Sequence, residues 1–275
     1  MSKSKVLANL RRHEPSLGVA LHINSPDVFE MTSQLGFDAI WLDMEHHATG
    51  LESAVNLIRA ARIGGADVVV RPGKGEFMRL GRMLEAGAKG IMYPRCSSAE
   101  EAREVVQWAK FAPVGKRGCD ASGPDANFML TPLDTYLEQA NEETFLIIQI
   151  EDPQALDHVD EIAAVEGVDM LMLGPGDFSI LSGFPGQFDH PRLLAAHEKV
   201  IAAAENMGKR WAATCGSIAQ AKEYVQRGAG LVFHGCDLVF LKQCLTKTVL
   251  EWSTADGMPT AAPNAESLKN YQEAQ

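Results

Sequence analysis

The feature that most constrains this chain is a repeat of short apolar runs, each followed by a segment long enough for one helix. The runs lie at 17–22, 37–42, 67–71, 90–94, 145–150, 169–173, 210–214 and 231–234. Runs of this length suit strands that are buried on both faces of a parallel sheet. Helical patterns separate most of them, for example at 50–63, 76–85, 100–110 and 190–207. We therefore predict a (β/α)8 barrel formed by one domain.

A doubly wound open sheet is the main alternative to the barrel. Such a sheet normally carries a glycine-rich phosphate loop after its first strand. Here the first run leads into HINSPD, and the sequence contains neither GxGxxG nor GxxxxGKS. We place the barrel domain at 1–252, with a short helix at 3–12, and a polar tail at 253–275 in which only 264–273 is predicted helical.

Two acids follow neighbouring apolar runs. Glu151 closes the run at 145–150, and Asp177 follows the run at 169–173 after Gly174-Pro175-Gly176. Neighbouring strands lie about 4.8 Å apart, so both carboxylates should emerge side by side at one edge. Two carboxylates suit a hard cation, and we expect Mg²⁺, Mn²⁺ or Co²⁺. Individually, Glu151 could instead cap a helix and Asp177 could lie in an ordinary turn.

Other polar residues follow strands at the end where barrel enzymes place their active groups. Arg71 closes the run at 67–71, and Asp43 begins the segment Asp-Met-Glu-His-His after the second strand. His46 in that segment is suited to proton transfer near neutral pH. The alternatives are a surface ion pair for Arg71 and a solvated loop for His46.

The remaining polar residues at these strand ends are expected to play lesser parts. We interpret Glu45 and His47 as peripheral to the site, and His22 and His234 as packing at the barrel mouth. A zinc site is not indicated, because the chain has no HExxH motif and no CxxC pair. The long connection at 112–144 is predicted to fold around Arg117 near the site, since long loops in compact domains are commonly functional.

The net charge, the cysteines and the lengths of the apolar runs indicate which partners and which cellular compartment to expect. The formal net charge of −11 argues against binding to a nucleic-acid backbone. Five scattered cysteines indicate reduced thiols in a cytoplasmic protein rather than a disulfide framework. The N-terminus has no apolar signal core, and no apolar run approaches the roughly 18 residues that span a bilayer. We therefore expect a cytoplasmic protein without a membrane partner.

Several motifs together resemble the HpcH/HpaI aldolases, the metal-dependent pyruvate aldolases. They are GFDAIWLDMEHHATG, VVVRPG, EAGAKGIMYPRCSSAEEAREVVQWAKFAPVGKRG and IIQIEDPQAL…EGVDMLMLGPGDFS. The resemblance covers most of residues 16–240 in the family's order. It implies a (β/α)8 barrel that reversibly cleaves a 4-hydroxy-2-keto acid to pyruvate and an aldehyde through a metal-stabilised enolate. It also implies a hexamer, a trimer of dimers, in which paired subunits exchange the last barrel helix.

The resemblance also implies a role for individual residues. By this resemblance, Glu151 and Asp177 bind the metal, and Arg71 contacts the keto oxygen. Asp43 and His46 form an aspartate–histidine pair. The backbone amides of Gly176 and Asp177 bind the pyruvate carboxylate, and Gln149 lines the site. The helix near 238–252, with an apolar stripe from Leu238 to Trp252, would be the exchanged one, although packing on its own barrel fits the pattern equally.

Departures from the family pattern concern the half of the site that would receive the aldehyde. Where relatives have EHAPN or EHGP, this chain has EHHATG, and His234 stands where a smaller residue is expected. The alternatives are an oxaloacetate decarboxylase, or a carbon–carbon bond-forming enzyme similar to macrophomate synthase, that uses the same enolate. A catalytically silent barrel that senses a keto acid is a third hypothesis. No predicted strand end carries a lysine placed for a Schiff base.

Overall fold

The repeat of apolar runs folds into a closed barrel of parallel strands, which confirms the predicted fold class. The structure, a computed structural model, describes residues 2–255. Each strand pairs with the next along the chain, and the last pairs with the first. The strands are β1 (Ser16–Leu21), β2 (Ala39–Asp43), β3 (Asp67–Arg71), β4 (Gly90–Tyr93), β5 (Phe145–Ile150), β6 (Met170–Leu173), β7 (Arg210–Cys215) and β8 (Leu231–Cys236).

The helices lie outside the barrel or across its amino end. They are α1 (Lys5–Arg11), α2 (Pro26–Gln34), α3 (Leu51–Ala61), α4 (Phe77–Glu85), α5 (Ala99–Ala109), α6 (Leu133–Glu142), α7 (Val159–Ala163), α8 (Pro175–Leu181), α9 (Pro191–Asn206), α10 (Ile218–Gln226) and α11 (Asp237–Thr254), with a 3₁₀ turn at Ala155–His158. The predicted domain boundary at 252 falls within α11, and the predicted helix at 264–273 lies outside the described residues. Within residues 2–255, no helix combines the length and apolarity needed to cross a membrane.

The strands are apolar on both faces because the sheet is buried on both sides. In β2, Ala39 and Trp41 belong to the cluster that fills the barrel, together with buried residues of α1 and of β3 to β8. Ile40 and Leu42, between them, belong to the larger cluster that joins the barrel to its helices. Since successive side chains of a strand point to opposite faces, one run supplies both layers.

The amino end of the barrel is closed by α1, which is tied to the start of β3. Val6 and Leu7 insert into the barrel interior. The Ser4 hydroxyl donates to Asp67 Oδ2 at 2.6 Å, and the Val6 N–H donates to the same oxygen at 2.9 Å. The Ser4 side chain also caps α1 by accepting from the Leu7 N–H. These contacts stabilise the amino end of the barrel.

The segment between α5 and β5, residues 110–144, also lies at the amino end, so the predicted placement of Arg117 near the site is wrong. Arg117 is buried and donates to Asp125 Oδ2 at 3.1 Å. Its backbone N–H donates to the Lys110 carbonyl, and the Lys110 ammonium donates to the carbonyl of Thr144, directly before β5. The physical reason is topological: α5 runs antiparallel to the strands, so a segment that joins its end to β5 remains at the amino end.

We expect Asp67 to make stability pH-dependent. Burial raises its pKa to about 6, even though the Ser4 hydroxyl and the Val6 N–H favour the charged form. The folded state then binds this proton more tightly than the unfolded state, whose pKa is the ordinary 3.8. The contribution of Asp67 to the free energy of unfolding should therefore fall, by on the order of 2–3 kcal/mol, as pH rises from about 4 to about 6.

Urea unfolding of Asp67→Asn and of the parent from pH 4 to pH 7 tests this expectation. The asparagine cannot ionise, so the variant's free energy of unfolding should gain on the parent's as pH rises through the window. Asp189→Asn, at an exposed position, is the matched control and should show no such trend. A difference between Asp67→Asn and the parent that stays constant with pH would contradict it.

Candidate active site

The carboxyl end of the barrel is organised by a buried ion pair between β2 and β3. Asp43 and Arg71 are the last residues of these strands and are register partners in the sheet. Arg71 Nε donates to Asp43 Oδ1 at 3.0 Å, and Nη2 donates to Oδ2 at 2.7 Å. Burial alone would raise the pKa of Asp43, but the hydrogen bonds and charge of Arg71 outweigh it and lower that pKa. Arg71 also lies over the Trp41 ring, 4.6 Å from its centroid.

The turn after β2 places two more polar side chains beside Arg71. Asp43 Oδ1 accepts the backbone N–H groups of Glu45 at 3.0 Å and His46 at 3.4 Å, which folds the turn. Glu45 Oε2 lies 3.3 Å from Arg71 Nε and 3.6 Å from His46 Nε2. Burial raises the pKa of Glu45, opposed by the charges of Arg71 and His46.

The resemblance pairs the side chains of Asp43 and His46, and in this structure their contact is through the His46 backbone N–H. The Asp43 carboxylate is occupied by Arg71 and meets His46 only through its backbone N–H. The acid beside the imidazole is Glu45, which the sequence interpretation had placed at the periphery. Asp43 and Arg71 are register partners at the ends of β2 and β3, which places the guanidinium directly against the carboxylate.

Glu151 follows β5 and is nearly enclosed by protein. Its Oε2 accepts the Arg95 backbone N–H at 2.9 Å. Burial raises its pKa to about 7, opposed by the charge of Arg71 and by the Arg95 hydrogen bond and reinforced by the charges of Glu45 and Asp177. A carboxyl group in this state is one that a cation would stabilise in its charged form.

Gly174 makes room for the Glu151 side chain. It follows β6, whose register pairs Leu173 with Ile150, so the two strand ends are adjacent. A Cβ at Gly174 would lie 2.1 Å from Glu151 Oε1, far inside contact distance. The chain then enters α8 at Pro175, which places Asp177 in its first turn. Gly176 and Asp177 thus lie where backbone N–H groups have no acceptor within the helix.

One cavity of ≈ 300 Å³ collects most of the predicted residues. It is lined by His46, Arg71, Gln149, Glu151, Gly176 and Asp177, together with Trp41, Met172, Gly174, Pro175, Ile180 and Thr214. Gln149 Oε1 is buried and has no hydrogen-bond partner among the described residues. An amide oxygen in that condition points to a ligand, because an unpaired buried acceptor is costly.

Two groupings near β1, β2 and β8 also bring metal-ligand atoms within 4.8 Å of one another. One contains His22, Cys236 and Asp237, and the other contains His22, Asp43 and His47. Their acids are already engaged, since Asp43 binds Arg71 and Asp237 accepts backbone N–H groups of the β1 loop and of α11.

The histidines of these groupings also face each other unfavourably for a shared ion. The rings of His22 and His47 stack with centroids 4.1 Å apart and planes 24° apart. Their in-plane lone pairs therefore run side by side instead of converging on one point. Burial, and then the neighbouring His22, lower the pKa of His47, which suits a packed and neutral imidazole. The carboxylates of Glu151 and Asp177 are the better donors for a hard cation.

The structure brings the predicted residues to one end of the barrel, with Asp43 behind Arg71. Sequence reasoning missed Trp41 as part of the cavity wall and Glu45 as a neighbour of His46 and Arg71. Trp41 could have been found from strand alternation, because it lies two residues before Asp43 on the same face of β2. No sequence pattern marks Glu45, since its position depends on how the turn folds over Asp43.

Comparison with known proteins places these features in a family. A sequence model described as HpcH/HpaI aldolase/citrate lyase matches residues 17–243. The chain is 29% identical to a hydroxypyruvate/pyruvate aldolase of Sagittula stellata over 92% of this chain and 99% of the other. It is 30% identical to a 4-hydroxy-2-oxo-heptane-1,7-dioate aldolase of Escherichia coli, over 85% of this chain and 89% of that protein.

A solved structure agrees with the sequence matches. The crystal structure of an HpcH/HpaI aldolase from Desulfitobacterium hafniense superposes with a TM-score of 0.87 at 30% identity. The alignment covers 92% of this chain and 98% of that one. Fold, order of motifs and relatives agree over the length of the barrel. The chain belongs to the HpcH/HpaI aldolase/citrate lyase family, whose named relatives here are aldolases, lyases that act on carbon–carbon bonds.

Proposed function

We propose that this protein is a divalent-metal-dependent aldolase that reversibly cleaves a 4-hydroxy-2-keto acid to pyruvate and an aldehyde. The observation that carries the proposal is the convergence of Glu151, Asp177, Arg71 and His46 on one cavity. That set combines two carboxylates that can bind a metal, the fixed guanidinium of Arg71 and a proton acceptor, His46. The aldolase names of the relatives support the same reaction class.

Glu151 and Asp177 would hold the metal, and the donor set fits one. Glu151 is buried with a pKa raised to about 7 and accepts a single hydrogen bond among the described residues. Both donors are carboxylates, which favour Mg²⁺, Mn²⁺ or Co²⁺. When bound, the ion would supply a Lewis acid beside the keto oxygen.

Arg71 is held ready to contact the keto oxygen of the substrate. Its Nε–H and one Nη2–H are used by Asp43, so three of its five N–H donors remain for a ligand. The side chain is only 9% exposed, and its position is fixed before substrate arrives. Fixed donors aimed at an oxygen that gains charge are what stabilises an enolate.

His46 would accept the proton of the 4-hydroxyl group. As that O–H bond breaks, the C3–C4 electron pair moves into the enolate, whose oxygen faces Arg71, and the aldehyde departs. The enolate then takes a proton at C3 and becomes pyruvate. Oxaloacetate decarboxylation would use the same electron sink but needs no base at this position.

The carboxylate of the keto acid would lie against the start of α8. The resemblance gives this role to the backbone N–H groups of Gly176 and Asp177, and both residues line the cavity. Gln149, with its buried and unpaired amide oxygen, would complete the polar wall. Together these groups would orient the keto acid between the metal ligands and Arg71.

We further propose that the protein assembles through α11, as a hexamer built from dimers that exchange this helix. Among the described residues of α11, only Asp237 is buried. Leu238, Val239, Leu241 and Leu245 are each between 45% and 57% exposed. A helix that leaves so many apolar side chains outside its own barrel needs another surface to cover them.

The function is tested by pyruvate release from a panel of 4-hydroxy-2-keto acids and oxaloacetate, with and without EDTA. We expect chelation to abolish cleavage, and Mg²⁺, Mn²⁺ or Co²⁺ to restore it. Full activity of a metal-free preparation, or borohydride trapping of a pyruvate–lysine adduct, would refute metal dependence. Turnover of oxaloacetate alone would favour the decarboxylase alternative.

Gly174→Ala should weaken metal binding, because the added methyl group occupies the space of the Glu151 carboxylate. We expect a loss of affinity of at least about 10-fold for Mn²⁺, measured by calorimetry in the absence of substrate. Gly176→Ala is the matched control, since a Cβ there meets nothing within 4 Å. Equal Mn²⁺ affinity in the two variants would argue that Glu151 is not a ligand.

The assembly is tested by light scattering after size-exclusion chromatography. The parent should be a hexamer, and the double variant Leu241→Asp/Leu245→Asp should dissociate, because charges replace apolar side chains on the exposed stripe. Lys247→Gln, on the same helix, is the control that should leave assembly unchanged. A parent that is a stable monomer at micromolar concentration would remove the exchange proposal.

A further inference from the structure

Two histidines form a stacked pair beside the candidate active site. The rings of His22 and His47 have their centroids 4.1 Å apart and their planes 24° apart. His22 follows β1, and His47 directly follows His46, which lines the cavity. His47 also belongs to EHHATG, a segment in which this chain departs from the family pattern. We call these two rings the histidine stack; it lies next to the cavity, on the side of β1.

The proposed binding mode directs the aldehyde half of the substrate toward the histidine stack. The keto-acid carboxylate would lie at the start of α8, after β6, and the keto oxygen would face Arg71, at the end of β3. The 4-hydroxyl group would reach His46, after β2. The next carbon and its substituents then continue across the barrel mouth toward β1. His47 Nε2 lies 3.9 Å from Asp43 Oδ2, and that oxygen accepts from Arg71 Nη2 at 2.7 Å, so the stack is close to the guanidinium.

Each ring of the stack has one nitrogen turned to a carboxylate. His22 Nδ1 lies 3.4 Å from Asp237 Oδ1, and His47 Nε2 lies 3.9 Å from Asp43 Oδ2. A neutral imidazole carries one proton, and a carboxylate favours that proton on the nitrogen that faces it. The lone pairs are then on His22 Nε2 and His47 Nδ1. Burial, and then the neighbouring His22, lower the pKa of His47, which favours its neutral form.

The two nitrogens with free lone pairs belong to the exposed part of the stack. His22 Nδ1 is buried, so the 18% of this side chain that is exposed belongs to the rest of the ring, where Nε2 lies. The side chain of His47 is 34% exposed. Accepting nitrogens bind a group that donates a hydrogen bond. They offer no countercharge to a carboxylate, and neither 22–25 nor 44–50, the segments that carry the stack, contains a lysine or an arginine.

We propose that the histidine stack determines which aldehyde the enzyme uses, by accepting a hydrogen bond from a hydroxyl group on the carbon next to the aldehyde carbonyl. This inference rests on the proposed aldolase function and adds the class of the aldehyde, a neutral 2-hydroxyaldehyde. An apolar aldehyde leaves the accepting nitrogens without a donor. An acidic aldehyde brings a negative charge against their lone pairs and toward Asp43 and Asp237. The stack selects the substrate and takes no part in proton transfer.

Condensation of pyruvate with matched aldehydes tests the inference in the metal-loaded enzyme. In this direction pyruvate loses a C3 proton, its enolate bonds to the aldehyde carbon, and the aldehyde oxygen gains a proton and becomes the 4-hydroxyl group. Glycolaldehyde and propanal differ only by a hydroxyl group in place of a methyl group. We expect kcat/KM, expressed per unhydrated aldehyde, to be at least about 10-fold higher for glycolaldehyde than for propanal or succinic semialdehyde.

Substitutions that keep the rings stacked isolate the hydrogen bond. His22→Phe and His47→Phe retain a planar ring without nitrogen, so each should bring the glycolaldehyde-to-propanal ratio to within about three-fold of one. His22→Gln and His47→Asn place an amide oxygen near the lost accepting nitrogen and should retain a preference for glycolaldehyde. His158→Phe, at an exposed position in the 3₁₀ turn, is the matched control and should keep the parent's ratio. Circular dichroism checks that each variant is folded.

The outcomes separate failure of the inference from failure of the proposed function. A parent that uses glycolaldehyde and propanal equally well would overturn the inference while leaving the aldolase function intact. A parent ratio that both phenylalanine variants retain, or a parent preference for succinic semialdehyde, would do the same. If the parent neither condenses pyruvate with any of these aldehydes nor cleaves any 4-hydroxy-2-keto acid, the aldolase function itself is refuted.

A measurement without turnover tests the accepting nitrogens directly. In ¹⁵N-histidine-labelled protein at about pH 8, where an ordinary histidine is neutral, the ring signals of His22 and His47 are identified by their absence from the phenylalanine variants. We expect the His22 proton on Nδ1 and the His47 proton on Nε2. A proton on the opposite nitrogen of either ring, or on both nitrogens of one ring, would overturn the selecting hydrogen bond, whether or not the parent condenses any aldehyde.

Discussion

The buried ion pair between Asp43 and Arg71 fixes the geometry on which the carboxyl end of this barrel depends. Removing one partner of such a pair typically costs 3–5 kcal/mol, because the other is left as an uncompensated buried charge. Here both partners close adjacent strands in register, so the sheet itself holds the guanidinium over Trp41. The same carboxylate folds the turn that carries Glu45 and His46. This one ion pair therefore fixes the position of the Arg71 guanidinium and of the turn that carries His46.

Charge is distributed across the site so that each acid has a different environment. Asp43 is compensated by Arg71, and its pKa is lowered as a result. Glu151 and Glu45 are buried with incomplete compensation, and both pKa values are raised. Glu151, Asp177 and the unpaired Gln149 oxygen line one cavity, which therefore has an excess of acceptors. Such a cavity favours a cation and a ligand that donates, which fits a metal-dependent enzyme acting on hydroxy keto acids.

The two ends of the barrel differ in role: the amino end closes the interior, and the carboxyl end carries the candidate active site. At the amino end, Ser4, Asp67 and α1 close the interior, and the connection around Arg117 forms its own buried pair with Asp125. At the carboxyl end, the side chains converge on a cavity. This division is general for barrels of this class, where loops at the carboxyl end can vary without disturbing the core. The departures EHHATG and His234 both lie toward the carboxyl end, after β2 and in the second half of β8.

The sequence by itself determined the barrel, its strand limits to within about two residues, and most of the cavity-lining polar residues. Those features follow from local rules, because short apolar runs form buried strands and the polar residues that follow them lie at the same end of the barrel. Tertiary structure alone decided that Asp43 engages Arg71, that Glu45 is the acid beside His46, and that Arg117 lies at the opposite end. These outcomes depend on the register between β2 and β3 and on the direction of α5. Distances between side chains that are remote in sequence are fixed only when the sheet closes, and no local pattern encodes them.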